Sequence, residues 1–247
     1  MYPYNQGYSG AATPGMYASQ VDFSAIMRQV YLWLAVGLLL GFGVALGLGQ
    51  ALATGQPLVT QLMQNPIVVF GSIILYIVLG LAFYPIVRRV SAAVGAVLYL
   101  AFTALFGFMI SSIFVVYTAQ SIWTAFLTTA AMFGAMSLIG YTTRLDLSKL
   151  GAVLFMALIG LIIASVVNFF LHSAMLYWIV SIAGVVIFSG LTAYDTQWIK
   201  RQALSLGGSY GAGSEMAQRV ALLGAFRLFL DFVNLFLSLL RIFGRQR

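Results

Sequence analysis

The chain contains no cysteine, one histidine and few charged residues, and each shortage excludes a class of function. Without cysteine there is no disulfide, no thiol nucleophile and no cysteine metal site. A single histidine, His172, is too few for a histidine metal cluster. Charged side chains make up 7% of the 247 residues, whereas soluble domains carry about 25%. A soluble globular protein is therefore excluded.

Apolar residues make up 62% of the chain instead. An ordinary core of this length cannot bury so much apolar surface, so we expect an all-α, polytopic membrane protein. A spanning helix needs about 20 largely apolar residues. Glycines within 37–49 supply the small residues that let such helices pack closely. The sequence predicts seven spans, at 30–51, 66–87, 93–116, 121–142, 150–171, 175–198 and 220–241.

Residues 1–20 differ in composition from everything that follows. They lack a basic start and an apolar stretch, so they do not indicate a cleavable signal peptide. They are rich in Tyr, Gly, Ser, Gln and Pro, which is typical of a disordered tail, here a cytoplasmic one, with a partner-binding tail as the alternative. Residues 21–247 are predicted to form one seven-span membrane domain.

Basic residues predict the orientation, because short cytoplasmic loops carry an excess of Lys and Arg. The connections at 52–65, 117–120 and 172–174 contain neither, so we expect the N-terminus in the cytoplasm. Seven crossings place the arginines of 241–247 outside, whereas a last segment that dips in and returns places them inside. We keep seven spans, because residues 220–241 form a helix about 32 Å long. The basic residues of the alternate connections are Arg28, Arg88, Arg89, Arg144, Lys149, Lys200, Arg201 and Arg219.

Two of the five acidic residues lie inside apolar runs. A carboxylate at the centre of a membrane helix costs at least ~2.5–3.5 kcal/mol on insertion scales, so Asp195 and Asp231 are candidates for function. Asp195 lies five residues before Lys200, about 7.5 Å inside the basic end of span six. Asp231 lies twelve residues after Arg219 and enters from the same side. Neighbouring antiparallel spans can bring the two carboxylates together.

Span seven also carries a polar stripe, with members spaced 4, 3, 4 and 3 residues apart, which is one helical face. A polar stripe cannot face lipid, so we expect this helix to be central, with the stripe lining a cavity. The alternative is a helix buried for packing, whose Arg227–Asp231 pair neutralises itself. On span six, Thr192 shares a face with Asp195 and is a further candidate for the lining. The stripe comprises Arg227, Asp231, Asn234, Ser238 and Arg241.

Two neighbouring carboxylates in a site without water are expected to share a proton or to bind a cation. Two carboxylates a few ångströms apart cannot both ionise cheaply, so Asp195 and Asp231 are expected to hold one proton near neutral pH. Without that proton, both would face a cation. Calcium prefers six to eight oxygen ligands, so two carboxylates with Asn234, carbonyls and water would make a weak, transient calcium site. An Arg–Asp bridge can close the path, and Arg88 and Arg89 are candidate partners, with membrane anchoring as the alternative.

Four motifs carry a resemblance to a known family. The chain resembles the bacterial branch of the Bax-inhibitor family, the transmembrane Bax-inhibitor-motif proteins, over about residues 20–244. This resemblance implies seven spans with a central last helix, a plasma (inner) membrane location and a pH-sensitive calcium leak gated by an aspartate pair. The motifs are SSIFVVYT (111–118), GYTTRLDLSKLG (140–151), GLTAYDTQWIK (190–200) and LFLDFVNLFLSLLRIFG (228–244).

The resemblance also implies roles for single residues. Its aspartate pair matches Asp195 and Asp231, and its arginine at the end of span two matches Arg89, which would bond to Asp195 in the closed state. Asp146 belongs to the family pattern, and we interpret it as a loop cap that satisfies helix-start amides. Arg227 departs from the pattern, since family members usually have a small or hydroxylated residue there. A cation at this position can neutralise Asp231 and weaken cation conduction.

Two other functions remain as alternatives. One is a non-conducting membrane regulator that binds a membrane protease or stress and cell-death partners. The other is an intramembrane aspartyl protease, but the glycines of its usual Gly-x-Gly-Asp motif are absent before Asp231. No Ser–His pair or phosphate-binding loop indicates catalysis either, so we expect no enzyme and no cofactor. The expected partners are the lipid bilayer, calcium or another cation, and possible membrane proteins, without nucleic acid.

Overall fold

The computed structural model describes residues 15–206 and 213–245, with side chains from residue 24 onward. Residues 1–14 of the predicted tail lie outside this part of the chain, so the tail stays a prediction there. Residues 15–20 belong to the first helix. The helices are α1 (Gly15–Ala53), α2 (Pro57–Gln64), α3 (Pro66–Val87), α4 (Ala92–Ile110), α5 (Ile113–Val116), α6 (Ala119–Thr142), α7 (Ser148–Leu171), α8 (Ala174–Ser205) and α9 (Glu215–Phe243).

The seven predicted spans are confirmed, because residues 15–206 and 213–245 contain seven segments that are long and apolar enough to cross a membrane. Helix α3 has the predicted bounds, and α8 and α9 extend past theirs toward the basic connections. The third span is two helices, since the chain is interrupted at Ser111 and Ser112. There the Ser111 hydroxyl donates to the Phe108 carbonyl oxygen at 2.8 Å, a local bond that competes with continued helix.

Short polar side chains start several of these helices. The side chains of Ser91, Thr118, Ser173 and Ser214 each accept a hydrogen bond from a backbone N–H in the first turn that follows. Such caps satisfy amides that have no partner within the helix. The polar residues between the apolar runs therefore determine where the spans begin.

The ends of α9 lie at opposite faces of the bundle. Near its start, Glu215 accepts a hydrogen bond from the Ala92 amide, and Arg219 donates to the Arg88 carbonyl oxygen. Past its end, the Arg245 amide donates to the Ser121 hydroxyl. We call the end of the bundle with the α3–α4 and α6–α7 connections the basic face, and the other end the distal face. Helix α9 crosses from the basic face to the distal face. The alternative topology, in which the last segment dips in and returns, is therefore wrong.

Helix α9 is also the centre of the bundle. In its most apolar stretch 78% of the residues are buried, against 39% or less in each other span. It packs against α1, α3, α4, α6 and α8. Its phenylalanines meet rings from the surrounding helices: Phe226 stacks on Phe83 at a centroid distance of 4.0 Å, and Phe229 meets Phe106 edge-on at 5.4 Å. The predicted central position of the last helix is confirmed.

Small residues permit the closest helix contacts. A Cβ atom added to Gly107 of α4 would lie 2.2 Å from the carbonyl oxygen of Gly41 on α1. At this crossing only glycine fits, because association inside a bilayer depends on close packing rather than on the exclusion of water. The predicted packing role of the glycine-rich segment 37–49 is confirmed at Gly49, where an added Cβ atom would lie 2.6 Å from Cβ of Phe114 and 2.9 Å from the Ser111 carbonyl oxygen.

Candidate functional site

Asp195 on α8 and Asp231 on α9 meet inside the bundle, as the sequence permits. The two helices pack along each other, and the carboxyl groups lie within hydrogen-bonding reach. Asp195 is 6% exposed and Asp231 is 4% exposed. A hydrogen bond between two carboxyl groups requires a proton on one of them. This arrangement therefore suits a pair that carries one negative charge.

The pair is only partly satisfied by its surroundings. Oδ1 of Asp195 and Oδ2 of Asp231 are buried and accept no hydrogen bond within the described part of the chain. Buried polar atoms normally have partners, and those without them are often found at functional sites. The two oxygens therefore mark the pair as more than a packing contact.

Arg227 supplies the positive charge next to the pair. Its Nε lies 3.5 Å from Oδ1 of Asp195, so the ion pair joins α9 to α8. Its Cζ lies 4.3 Å from the ring centroid of Trp198 and 6.0 Å from that of Tyr194. A guanidinium over aromatic faces is held by cation–π attraction. With one shared proton, the two carboxyl groups and Arg227 have no net charge.

The structure corrects one detail of the predicted pairing. The sequence suggested that Arg227 neutralises Asp231, one turn later on the same helix, but the ion pair is formed with Asp195. The rotation of α8 brings Asp195 to the guanidinium, and spacing along α9 alone does not reveal this.

The polar stripe of α9 lines one cavity of about 840 Å³ between α7, α8 and α9. All five stripe residues contribute to its wall, including Asn234 and Ser238 as predicted. Arg227 to Arg241 spans fourteen residues, which is about 21 Å along a helix. The cavity therefore extends through much of the bilayer, with the carboxyl pair toward the basic face. The complete lining is Ser148, Gly151, Ala152, Phe155, Leu158, Leu161, Ile162, Ser165, Val166, Phe188, Leu191, Tyr194, Asp195, Arg227, Leu230, Asp231, Asn234, Leu237, Ser238 and Arg241.

Helix α7 forms the third wall and is attached mainly to α8. Within α7, all of which the structure describes, only Gly151 and Leu154 are buried. A Cβ atom added to Gly151 would lie 2.4 Å from the Tyr194 ring, so this glycine allows the close approach. Both buried residues lie near the start of α7, so its anchorage is concentrated at the basic face.

A polar clamp, formed by Asp146, Gln197 and Arg201, reinforces that anchorage. Gln197 on α8 accepts from the Leu147 amide at 2.9 Å and donates to the Leu145 carbonyl oxygen at 2.7 Å. Arg201, one turn later, donates to Oδ1 of Asp146 at 2.8 Å. The α6–α7 connection is thus bound to the helix that carries Asp195.

Asp146 acts as the predicted loop cap, since its Oδ1 accepts from the Ser148 amide at 3.0 Å. Hydrogen bonds from the Ser148 amide and hydroxyl, with a smaller contribution from Arg201, lower the pKa of Asp146 to about 2. The role of Gln197 was not predicted, although an amide two residues after Asp195 in an apolar helix was a usable signal.

Comparison with known proteins identifies the relatives of this chain. The family model described as "Inhibitor of apoptosis-promoting Bax1" matches residues 24–247. The chain belongs to the Bax inhibitor family. It is 46% identical to the Escherichia coli K12 inner membrane protein YbhL over 221 residues, 90% of this chain and 92% of that protein. It is 40% identical to an uncharacterized membrane protein of Streptococcus pyogenes serotype M1 over 188 residues, 76% of this chain and 79% of the relative.

Two residues predicted for the site of this Bax inhibitor family member lie elsewhere. Arg89 is exposed beyond the end of α3, does not line the cavity and forms no ion pair with Asp195 in the structure. Arg227 pairs with that aspartate instead. Thr192 is fully buried, and its hydroxyl donates to the Phe188 carbonyl oxygen within α8, so it also lies outside the lining.

The residue after Asp195 links this site to two further helices. The Thr196 hydroxyl hydrogen-bonds to that of Ser137 on α6 at 3.1 Å, and Ser137 also hydrogen-bonds to the Tyr31 hydroxyl on α1. In this Bax inhibitor family member, Asp195 therefore lines the cavity, and Thr196 bonds to α6 and through it to α1. Gln197 bonds to the α6–α7 connection. The residues that follow Asp195 are thus hydrogen-bonded to α6 and to the α6–α7 connection.

Proposed function

We propose that this membrane protein of the Bax inhibitor family is a pH-sensitive calcium leak, with Asp195 and Asp231 as its switch. The observation that carries the proposal is a buried carboxyl pair on the wall of a cavity that follows the polar stripe of α9. Intramembrane carboxylates are rare and typically mark ion or proton pathways. The family resemblance implies the same activity.

The switch follows from the charges at the pair. In the closed state one proton is shared by the carboxyl groups, and the Arg227–Asp195 ion pair bridges α9 and α8. A proton on Asp195, or a cation bound at the pair, removes the attraction that holds this bridge. The path then opens, so flux depends on pH.

The calcium site in this proposal is weak and transient. The described residues contain no cluster of three or more His, Cys, Asp or Glu side chains. Calcium would depend on two carboxylates together with neutral oxygens such as that of Asn234, which is few charged ligands for a tight site. Weak binding suits an ion that must also leave.

We further propose that the basic face is cytoplasmic and that the protein lies in a bacterial inner membrane. The positive-inside rule supports the orientation, since the distal connections between spans contain no Lys or Arg. The Escherichia coli relative is named as an inner membrane protein, which supports the location. The pair would then be reached from the cytoplasmic half of the bilayer.

Calcium uptake into liposomes that contain the purified protein, measured from pH 5 to 8, tests the leak. Asp195→Asn is expected to remove the pH dependence, because the amide cannot exchange the proton. Glu215→Gln, which neutralises an exposed carboxylate at the start of α9, is the matched control and should behave as wild type. An unchanged pH profile in Asp195→Asn would contradict the proposal.

Arg227→Ser sharpens this test. Removing the cation beside the pair should raise calcium flux about tenfold, the change expected for ~1.4 kcal/mol of lost repulsion. Arg219→Ser, on the same helix but outside the cavity lining, is the control. Equal flux in both variants would mean that Arg227 does not limit conduction.

A second candidate is a non-conducting regulator that binds membrane proteins. The arginines at both ends of the stripe favour it, since Arg227 and Arg241 repel cations within the cavity. Absence of flux in wild type and Arg227→Ser, together with co-purification of a membrane protease, would support this candidate. We assign the pair no hydrolytic role, because the glycines of the Gly-x-Gly-Asp motif are absent before Asp231.

A further inference from the structure

We propose that the distal half of the cavity, between Asn234 and Arg241, binds one acyl chain of a membrane phospholipid whose phosphate is held by Arg241. This site occupies the distal part of the cavity that the proposed calcium path follows, so a bound acyl chain and a conducting path exclude each other there. Phospholipid binding is therefore measured independently of conduction. Three features support the proposed phospholipid site: the apolar lining, the opening toward the bilayer and the charge at the distal end.

Five apolar side chains line the distal half beside the stripe residues Asn234 and Ser238, whose own side chains donate hydrogen bonds to backbone carbonyl oxygens of α9. Leu158, Leu161, Ile162 and Val166 of α7 face it together with Leu237 of α9. The whole cavity, at about 840 Å³, lies within the range of about 300–1,000 Å³ that is typical of ligand sites. Arg241 lies seven residues beyond Asn234, about 10.5 Å along the helix. An acyl chain of ordinary length covers that distance.

The lining is accessible from the lipid side. Ile162 is 55% exposed and Val166 is 54% exposed, although both line the cavity. Helix α7 is anchored near the basic face by Gly151 and Leu154, and the rest of the helix is not buried. Because these residues lie within a membrane span, the neighbouring medium is hydrocarbon. An acyl chain can therefore enter between α7 and α9 without passing through water.

The charge at the distal end suits a phosphate. Arg241 lines the cavity, is exposed, and pairs with none of the acidic side chains that the structure describes. Tyr177 is the fourth residue of α8, so it lies at the same distal end of the bundle. Arginine binds phosphate through two parallel hydrogen bonds, and tyrosine is common at the level of lipid headgroups. A phospholipid supplies both the anion for Arg241 and the chain for the apolar lining.

Delipidated protein in detergent, titrated with phosphatidylglycerol and followed by native mass spectrometry, tests the site. One tightly held phospholipid per wild-type molecule is expected. Arg241→Gln should weaken its binding about fivefold, the effect of one basic residue near a lipid surface. Arg245→Gln is the control, because Arg245 is a neighbouring arginine at the distal face that does not line the cavity. Equal affinity in the two variants would overturn the proposal.

A second pair of variants tests the chain-binding part without changing any charge. Val166→Trp fills the distal half and should remove the bound phospholipid, whereas Val167→Trp, on the next residue and outside the lining, should not. Phospholipid retained by Val166→Trp would contradict the site. Competition separates the possible sources: palmitate or inorganic phosphate that displaces phosphatidylglycerol at equal concentration would show a fatty-acid or free-anion site and would also contradict it.

Discussion

Asp146 and the Asp195–Asp231 pair are carboxylates of the same chain in opposite surroundings. Asp146 is exposed at the basic face and has a backbone amide and Arg201 as partners. Asp195 and Asp231 are buried, and each keeps an oxygen without a hydrogen bond in the described part of the chain. The surroundings of Asp146 stabilise its ionised form, whereas those of the Asp195–Asp231 pair allow the pair to gain or lose a proton. A single carboxylate whose charge is held by hydrogen bonds is suited to structure, and two buried carboxyl groups that can share a proton are suited to switching.

The largest expected effect comes from removing one member of the buried ion pair. Asp195→Leu leaves Arg227 without its carboxylate. Removing one partner of a fully buried ion pair lowers the free energy of unfolding by about 3–5 kcal/mol. We expect a loss of about 2 kcal/mol here, because the Arg227 side chain is one-third exposed. Thermal unfolding in detergent would measure the loss. The double variant Asp195→Leu/Arg227→Met should recover part of the stability. No recovery would mean that the two charges are not coupled.

Gln197→Leu should have a smaller effect, since it breaks the clamp rather than the pair. It removes the hydrogen bonds to the Leu147 amide and the Leu145 carbonyl oxygen, at about 1–2 kcal/mol of unfolding free energy. Hydrogen exchange should quicken in the α6–α7 connection and at the start of α7. Gln202→Leu, five residues later on α8, is the control. Unchanged exchange in Gln197→Leu would mean that α7 is held without the clamp.

The smallest effect is expected at Asp146, and it depends on pH. The folded pKa of about 2 lies below the ordinary value near 4, so the contribution of Asp146 is present above pH 4 and is lost as the pH falls toward 2. Pepsin cleavage of the α6–α7 connection should therefore accelerate between pH 4 and 2 in wild type. Asp146→Asn should accelerate less over that interval, because its cleavage follows only the pH dependence of pepsin itself. Parallel rates in the two proteins would contradict the assignment.

Much of the site could be predicted because it depends on spacing along single helices. The five stripe residues share a face by helical geometry alone, and all five line one cavity. Contacts between helices could not be predicted in this way. Arg89 and Arg227 were both candidate partners for an aspartate, and only the packing of α9 against α8 shows that Arg227 lies beside Asp195. Thr192 was placed wrongly for the same reason, since a shared face on α8 does not show which helix covers it.

By itself the sequence determined the membrane class, the seven spans and the polar stripe of α9. These features follow from the lengths of apolar runs and from the period of one helix, and both are local properties. Only the tertiary structure decided that the two aspartates share one buried site, that Arg227 pairs with Asp195 and that Gln197 binds the α6–α7 connection. Those contacts depend on the rotation and depth of each helix relative to its neighbours, which close packing at residues such as Gly151 determines.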